Sequence, residues 1–107
     1  MEVKTNNPIK CSVALTGLYE VYDPEIGLNV VDLGLIYQID FDDDNKKIET
    51  SMTLTTQFCP MGESIASNVN QSLVNAFMDY EVLINLTFDP PWSLEQVSPE
   101  GLRFLKR

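Results

Sequence analysis

Two runs of alternating apolar residues around an acidic turn constrain this chain most. Leu35, Tyr37, Ile39 and Phe41 alternate with Gln38 and Asp40 over 34–41, and Ile48, Thr50, Met52 and Leu54 alternate over 47–55. Side chains on a strand point to opposite faces in turn, so each set belongs to one face. Asp42-Asp43-Asp44-Asn45 between them supplies turn-forming residues, which makes the pair a hairpin with one buried face. A third alternating run, 81–88, points Val82, Ile84, Leu86 and Phe88 one way and Asn85 and Thr87 the other. Asp89-Pro90-Pro91-Trp92-Ser93 ends it, because two prolines remove ladder donors.

The remaining segments read as helices. In 8–22 the residues Cys11, Ala14, Leu15, Leu18, Val21 and Tyr22 form one stripe at helical spacing, Asn7 is placed to cap, and Pro8 sits at the first helical position. Asp23-Pro24 stops this helix, since a residue before proline is pushed out of the α region. A loop covers 24–32. A second helix over 63–80 carries Ile65, Ala66, Val69, Leu73, Ala76 and Phe77 on its apolar face, and Ser98-Pro99 starts a short C-terminal helix. The expected architecture is a single α/β domain over 1–107. It is an α+β two-layer arrangement in the order α-β-β-α-β-α, with a three-stranded mixed sheet covered by helices on one face. Strand order stays open.

Composition narrows the chemistry. The 107 residues hold 7 Lys and Arg against 16 Asp and Glu, a formal charge of −9, and no His. A scattered set of cations on an acidic chain does not make a phosphate-binding surface, so nucleic acid is not an expected partner. Without His there is no Ser-His-Asp or Cys-His dyad and no imidazole metal ligand. The two cysteines, Cys11 and Cys59, are too few for a disulfide framework or a four-thiolate site in one chain. No apolar run is long enough to span a bilayer, so no membrane partner is expected. No secretory pattern opens the chain, and a cytoplasmic location is expected.

Cys59 is the leading candidate for chemistry. It lies between a strand end and a helix start, followed by Pro60, where helix amides favour a thiolate. Thr55 and Thr56 could add hydroxyl donors. The plain alternative is a buried cysteine acting as a small hydrophobe. Cys11 falls in the apolar stripe of the first helix and reads as packing. Asp23, Glu25 and Asp32 could supply oxygen ligands, or Asp23 could cap a turn while the others face solvent. Asp42 to Asp44 at the hairpin tip read as solubilising charge. Trp92 either folds back to cap the core or offers an aromatic anchor at an interface. Ser64 has no visible base.

Four motifs in one order then identify a family resemblance. Asp23-Pro24-Glu25-Ile26, Val31-Asp32-Leu33-Gly34-Leu35-Ile36-Tyr37, Met52-Thr53-Leu54-Thr55 with Cys59-Pro60-Met61, and Asp89-Pro90-Pro91-Trp92-Ser93 resemble the metal–sulfur cluster biosynthesis family over about 9–105. That family includes SUF-system accessory proteins of bacteria and archaea, eukaryotic cytosolic iron–sulfur targeting factors and a phenylacetate-degradation subunit. Length and the Cys-Pro-Met run are most similar to the bacterial SUF branch. The resemblance implies a non-catalytic accessory role in assembling iron–sulfur clusters or delivering them to client proteins, with Cys59 as the reactive thiol and Asp23, Glu25, Asp32 and Thr55 in support. Where many relatives carry Pro-Gly before the Cys-Pro pair, this chain has Gln57-Phe58, so Phe58 either shields the thiol or offers an apolar contact.

The expected partners are SUF scaffold proteins and iron–sulfur clients, and the expected cargo is a transiently held iron–sulfur cluster or iron. One thiol cannot hold a cluster alone. The open solutions are a homodimer sharing a cluster, Cys59 as one ligand during transfer with Asp32 or Glu25 helping, and an adaptor that touches no metal. A component of an oxygenase pathway and a thiol reductase using Cys11 are the remaining readings.

Overall fold

The computed structural model describes residues 3–56 and 62–106. A two-residue strand, β1 (Lys4–Thr5), leads into helix α1 (Pro8–Leu18). Asn7 caps α1 through its side chain, which accepts from Lys10 N, and Pro8 occupies the first turn. The helix ends at Leu18, earlier than the 8–22 expected. Tyr19, Glu20 and Val21 tighten the turn by donating to Leu15, Gly17 and Leu18 carbonyls. The chain then enters β2 (Tyr22–Asp23), which pairs antiparallel with β3 (Leu28–Asn29). The expected loop over 24–32 is therefore a small ribbon with its own hydrogen bonds.

β4 (Ile36–Asp42) and β5 (Lys47–Met52) form the hairpin, α2 (Gly62–Ala76) follows, and β6 (Glu81–Leu86) lies parallel to β5. A 3-10 turn at Leu94–Gln96 precedes α3 (Pro99–Leu105), which Ser98 caps by accepting from Gly101 N. α2 stops at Ala76, short of the expected Tyr80, because Phe77 and Tyr80 turn in to form an edge-to-face cluster with Phe41.

Among the described residues the sheet has four strands, not three, in the order β1-β4-β5-β6. β1 pairs parallel to β4 at Lys4–Gln38 and Thr5–Ile39. Two residues carry no periodicity, so the sequence pattern had nothing to register there. The sheet is mixed, as expected, and α1 and α2 cover one face. The core lies between them and the sheet, from Ala14 and Leu18 on α1 and Ile65, Val69 and Leu73 on α2 to Ile39, Ile48 and Met52 on the strands. Removing this apolar area from water stabilises the fold by roughly 25 cal/mol per Å².

One expected face assignment fails. Ile36 pairs with Met52, but Gln38 pairs with Ser51, so β4 carries an extra residue at Tyr37. That bulge puts Ile36, with Met52, on the helix-covered face. It turns Tyr37 to the other face, where it lines a cleft with Gln38, Ser51 and Thr87. Simple alternation from Leu35 through Phe41 cannot foresee one inserted residue.

Candidate functional site

Asp23-Pro24-Glu25-Ile26 is a turn. The Asp23 carboxylate is buried and accepts from Glu25 N at 2.9 Å, while its carbonyl accepts from Ile26 N at 3.2 Å and Gly27 N at 2.7 Å. Gly27 has φ +83°, which suits glycine at this corner. Asp23 thus holds the β2–β3 ribbon, and Glu25 projects into solvent.

Asp32 is a tie between distant segments. Its Oδ2 accepts from Asn29 Nδ2 at 2.7 Å and its Oδ1 from Ser98 Oγ at 2.7 Å. Asn29 Oδ1 accepts from Asp32 N at 2.8 Å, and Asp32 O accepts from Ser98 N at 2.8 Å. Each of these bonds except Asn29's crosses from the 29–32 turn to the start of α3. A carboxylate held by neutral donors on both oxygens is fixed in direction, and it presents less of its lone-pair capacity to anything else.

The next residues of that motif meet the Pro-Pro-Trp segment. Trp92 is half-buried against the core and its Nε1 donates to Leu33 O at 2.7 Å. Gly34 has φ +76°, and a Cβ there would collide with the Gln96 carbonyl, so glycine is required twice over. Tyr37 Oη donates to Pro90 O at 2.8 Å and accepts from Gln96 Nε2 at 2.7 Å. Gln96 Oε1 in turn accepts from Ser93 N at 2.7 Å. Two motifs far apart in sequence are therefore one clamp, 32–37 against 90–98. Asn29 and Gln96, both buried, complete it. Sequence reading passed over them. The available signal was a lone amide beside each motif, which reads as ordinary loop polarity.

The clamp also positions the approach to Cys59. Thr53 N donates to Leu35 O at 2.8 Å, extending the β4–β5 pairing past Met52 toward the half-buried Thr55. On the other flank, a Cβ at Gly62 would lie 2.6 Å from Leu54 Cδ1, so glycine lets the first turn of α2 close onto the strand end. The segment carrying Cys59, Phe58, Pro60 and Met61 lies outside the described residues, and so does the expectation that Cys59 serves as a metal ligand at the helix entrance. Its two flanks are anchored, one by the Asp32–Ile36 motif and the other by packing against Leu54.

Cys11 is buried in the core, and burial pushes its thiol up from the ordinary value, keeping it protonated. It shares a cleft of about 370 Å³ with Leu15, Val31, Asp32 and Ser98. Among the described residues no group of three Cys, Asp or Glu side chains is arranged to hold a metal ion, and no described helix is long and apolar enough to cross a membrane.

The hairpin tip corrects another expectation. Asp43 is not only solubilising charge: its Oδ1 pairs with Lys10 Nζ at 2.7 Å and accepts from Tyr80 Oη at 2.6 Å. Lys10, by its hydrogen bond first, holds the Asp43 carboxyl below the usual range, and Asn45 does the same for Asp42.

With this geometry in hand, likeness to known proteins is informative. Residues 13–84 match the family described as iron–sulfur cluster assembly protein. An Fe-S protein maturation auxiliary factor of Porphyromonas gingivalis is 40% identical over 85 residues, 79% of this chain and 80% of that protein. The Fe-S protein maturation auxiliary factor SufT of Staphylococcus aureus is 36% identical over 78 residues, 73% of this chain and 88% of that protein. A crystal structure of a domain of unknown function from Bacillus anthracis superposes with TM-score 0.83 at 31% identity, covering 94% of this chain and 98% of that one.

Proposed function

The chain belongs to the iron–sulfur cluster assembly protein family, and from that premise we propose that it is a non-catalytic accessory factor in maturing iron–sulfur proteins, with Cys59 as its working thiol. The observation that carries the assignment to Cys59 is the state of the chain's other cysteine. Cys11 is packed into the core with its thiol held protonated, and the chain has no His, so thiolate chemistry falls to Cys59. The anchored flanks at Thr53 and Gly62 fit a role that needs the intervening segment presented from a rigid frame.

In this reading the cluster is cargo. Cys59 supplies one iron ligand while a donor or recipient protein supplies the others. Transfer is ligand exchange: an iron–sulfur bond to a donor thiolate breaks as the bond to Cys59 forms, with no change of oxidation state. Glu25, exposed beside the β2–β3 ribbon, is the supporting acid with capacity to spare. Asp23 and Asp32 act by holding the frame, and Thr55 supports from the strand end that leads into the Cys59 segment. The partners are SUF scaffold proteins and iron–sulfur clients.

Anaerobic iron–sulfur reconstitution of wild type and Cys59→Ala, read by visible absorption, tests the reading together with activation of an iron–sulfur client enzyme in cells. Cys59→Ala should abolish thiol-dependent cluster uptake and lower client activity. Unchanged client activity would remove Cys59 from the mechanism and leave the adaptor reading, in which the protein brings partners together without touching metal.

A further inference from the structure

β6 is the outer strand of the sheet, with β5 on one side and no described strand on the other. Its inward ladder is visible at both ends: Glu81 N donates to Lys46 O and Thr87 N to Met52 O. Amides alternate in direction along a parallel strand, so Val82, Ile84 and Leu86 turn theirs outward. An exposed edge of this kind is a template for another strand, and proteins usually blunt it with lysine, proline or a bulge. Glu81-Val82-Leu83-Ile84-Asn85-Leu86 has none of these and only one charge, at its end.

The two faces of β6 differ. Val82, Ile84 and Leu86 pair with Ile48, Thr50 and Met52, so they lie on the helix-covered face. α2 leaves them incompletely covered, and Leu86 is 46% exposed. Leu83 and Asn85 pair with Glu49 and Ser51 on the open face, where Leu83 is 41% exposed. The exposed charges bordering this edge are Asp79, Glu81, Glu49 and Asp89, offset in part by Lys47, whose amine lies 3.9 Å from Glu81, and by Lys46, whose carbonyl accepts from Glu81 N and whose amine lies over the Tyr80 ring.

We propose that the β6 edge is a docking site for an extended segment of a partner protein, which adds as a fifth strand with apolar side chains toward α2 and Lys or Arg toward the open face. Main-chain pairing supplies affinity and the alternating faces supply selectivity. Charge selects the occupant. The acids bordering the edge attract a cationic strand, while a second copy of this chain would bring another −9 to the contact. The edge is formed by residues 81–86 and does not use the Cys59 thiol, and Cys59→Ala should bind the probe as wild type does.

The test titrates the full chain with a capped nine-residue peptide alternating valine and lysine, read by amide NMR shifts and calorimetry at low and physiological salt. A valine–glutamate peptide and an N-methylated valine–lysine peptide are the controls. Shifts and new exchange protection should centre on Val82, Ile84 and Leu86, and both controls should bind at least about tenfold more weakly. Leu86→Pro removes an outward donor without touching the ladder to β5, and should cost the same factor. If that variant does not fold, Glu49→Lys, a surface change, should weaken the lysine peptide and strengthen the glutamate peptide. Equal binding of the glutamate peptide, shifts centred elsewhere or no binding would overturn the proposal. So would a wild-type dimer that Leu86→Pro converts to monomer, since the edge would then belong to a second copy.

Discussion

The two borders of this molecule are built on opposite plans. Around the start of β4, three backbone carbonyls are each taken by a distant segment: Leu33 O by Trp92, Leu35 O by Thr53, Asp32 O by Ser98. At β6, the outward amides of Val82, Ile84 and Leu86 meet no described partner, and the side chains around them are half-covered. The first border is held by polar bonds between motifs remote in sequence, the second by the ladder to β5 on its inner side and by apolar contact on one face. A clamp of the first kind gives a fixed frame. An edge of the second kind is available for contact, and the molecule's stability does not depend on its side chains to the same degree.

Substitutions should expose that asymmetry. Gly34→Ala breaks the clamp most severely, since it forces both a positive φ and a collision with the Gln96 carbonyl. It should cost about 3–5 kcal/mol in chemical unfolding, enough to unfold a marginal domain. Asp32→Ala leaves Asn29 and Ser98 without their shared acceptor and should cost about 2 kcal/mol in the same assay. A loss under half of that would mean water replaces the carboxylate and the tie is weak.

Acid titration separates the exposed polar contacts from the clamp. Asp42 and Asp43 are held below the ordinary carboxylate value, so their contribution is present above that value, 3.8, and is lost as pH falls through the depressed one. Lys10 is held above its ordinary 10.5, so its contribution is present below that pH and fades only as the solution becomes more alkaline than the raised value. The melting temperature should be flat near neutrality and fall below about pH 4, less steeply in Asp43→Asn. Leu83→Lys, on the open edge, should shift stability by no more than about 0.5 kcal/mol. A large loss there would show that the edge is structural after all.

Much of this was legible in the residues. The β4–β5 hairpin, the caps at Asn7 and Ser98, the apolar stripe of α2 and the strand after it follow from local periodicity and capping chemistry. So does the placing of Cys11 in packing. The two-residue β1, the Tyr37 bulge and the early end of α1 did not. Each is decided by a partner elsewhere: Gln38 for Lys4, Ser51 for Gln38, Asn29 for Tyr22. Local pattern carries no record of such pairings.

The motifs show the same division. By itself, the sequence determined which residue types are grouped, and therefore the family, the lone candidate thiol at Cys59 and the acidic surface. Only the tertiary structure decided that Asp32-Leu33-Gly34-Leu35 and Pro90-Pro91-Trp92 are halves of one clamp. It also decided that Asp23 and Asp32 are occupied in holding turns, and that β6 is left as an edge. The physical reason is that composition and period are properties of neighbours along the chain, whereas a hydrogen bond between Asp32 and Ser98, or an outward amide at Leu86 with no described partner, depends on where the fold brings distant segments together.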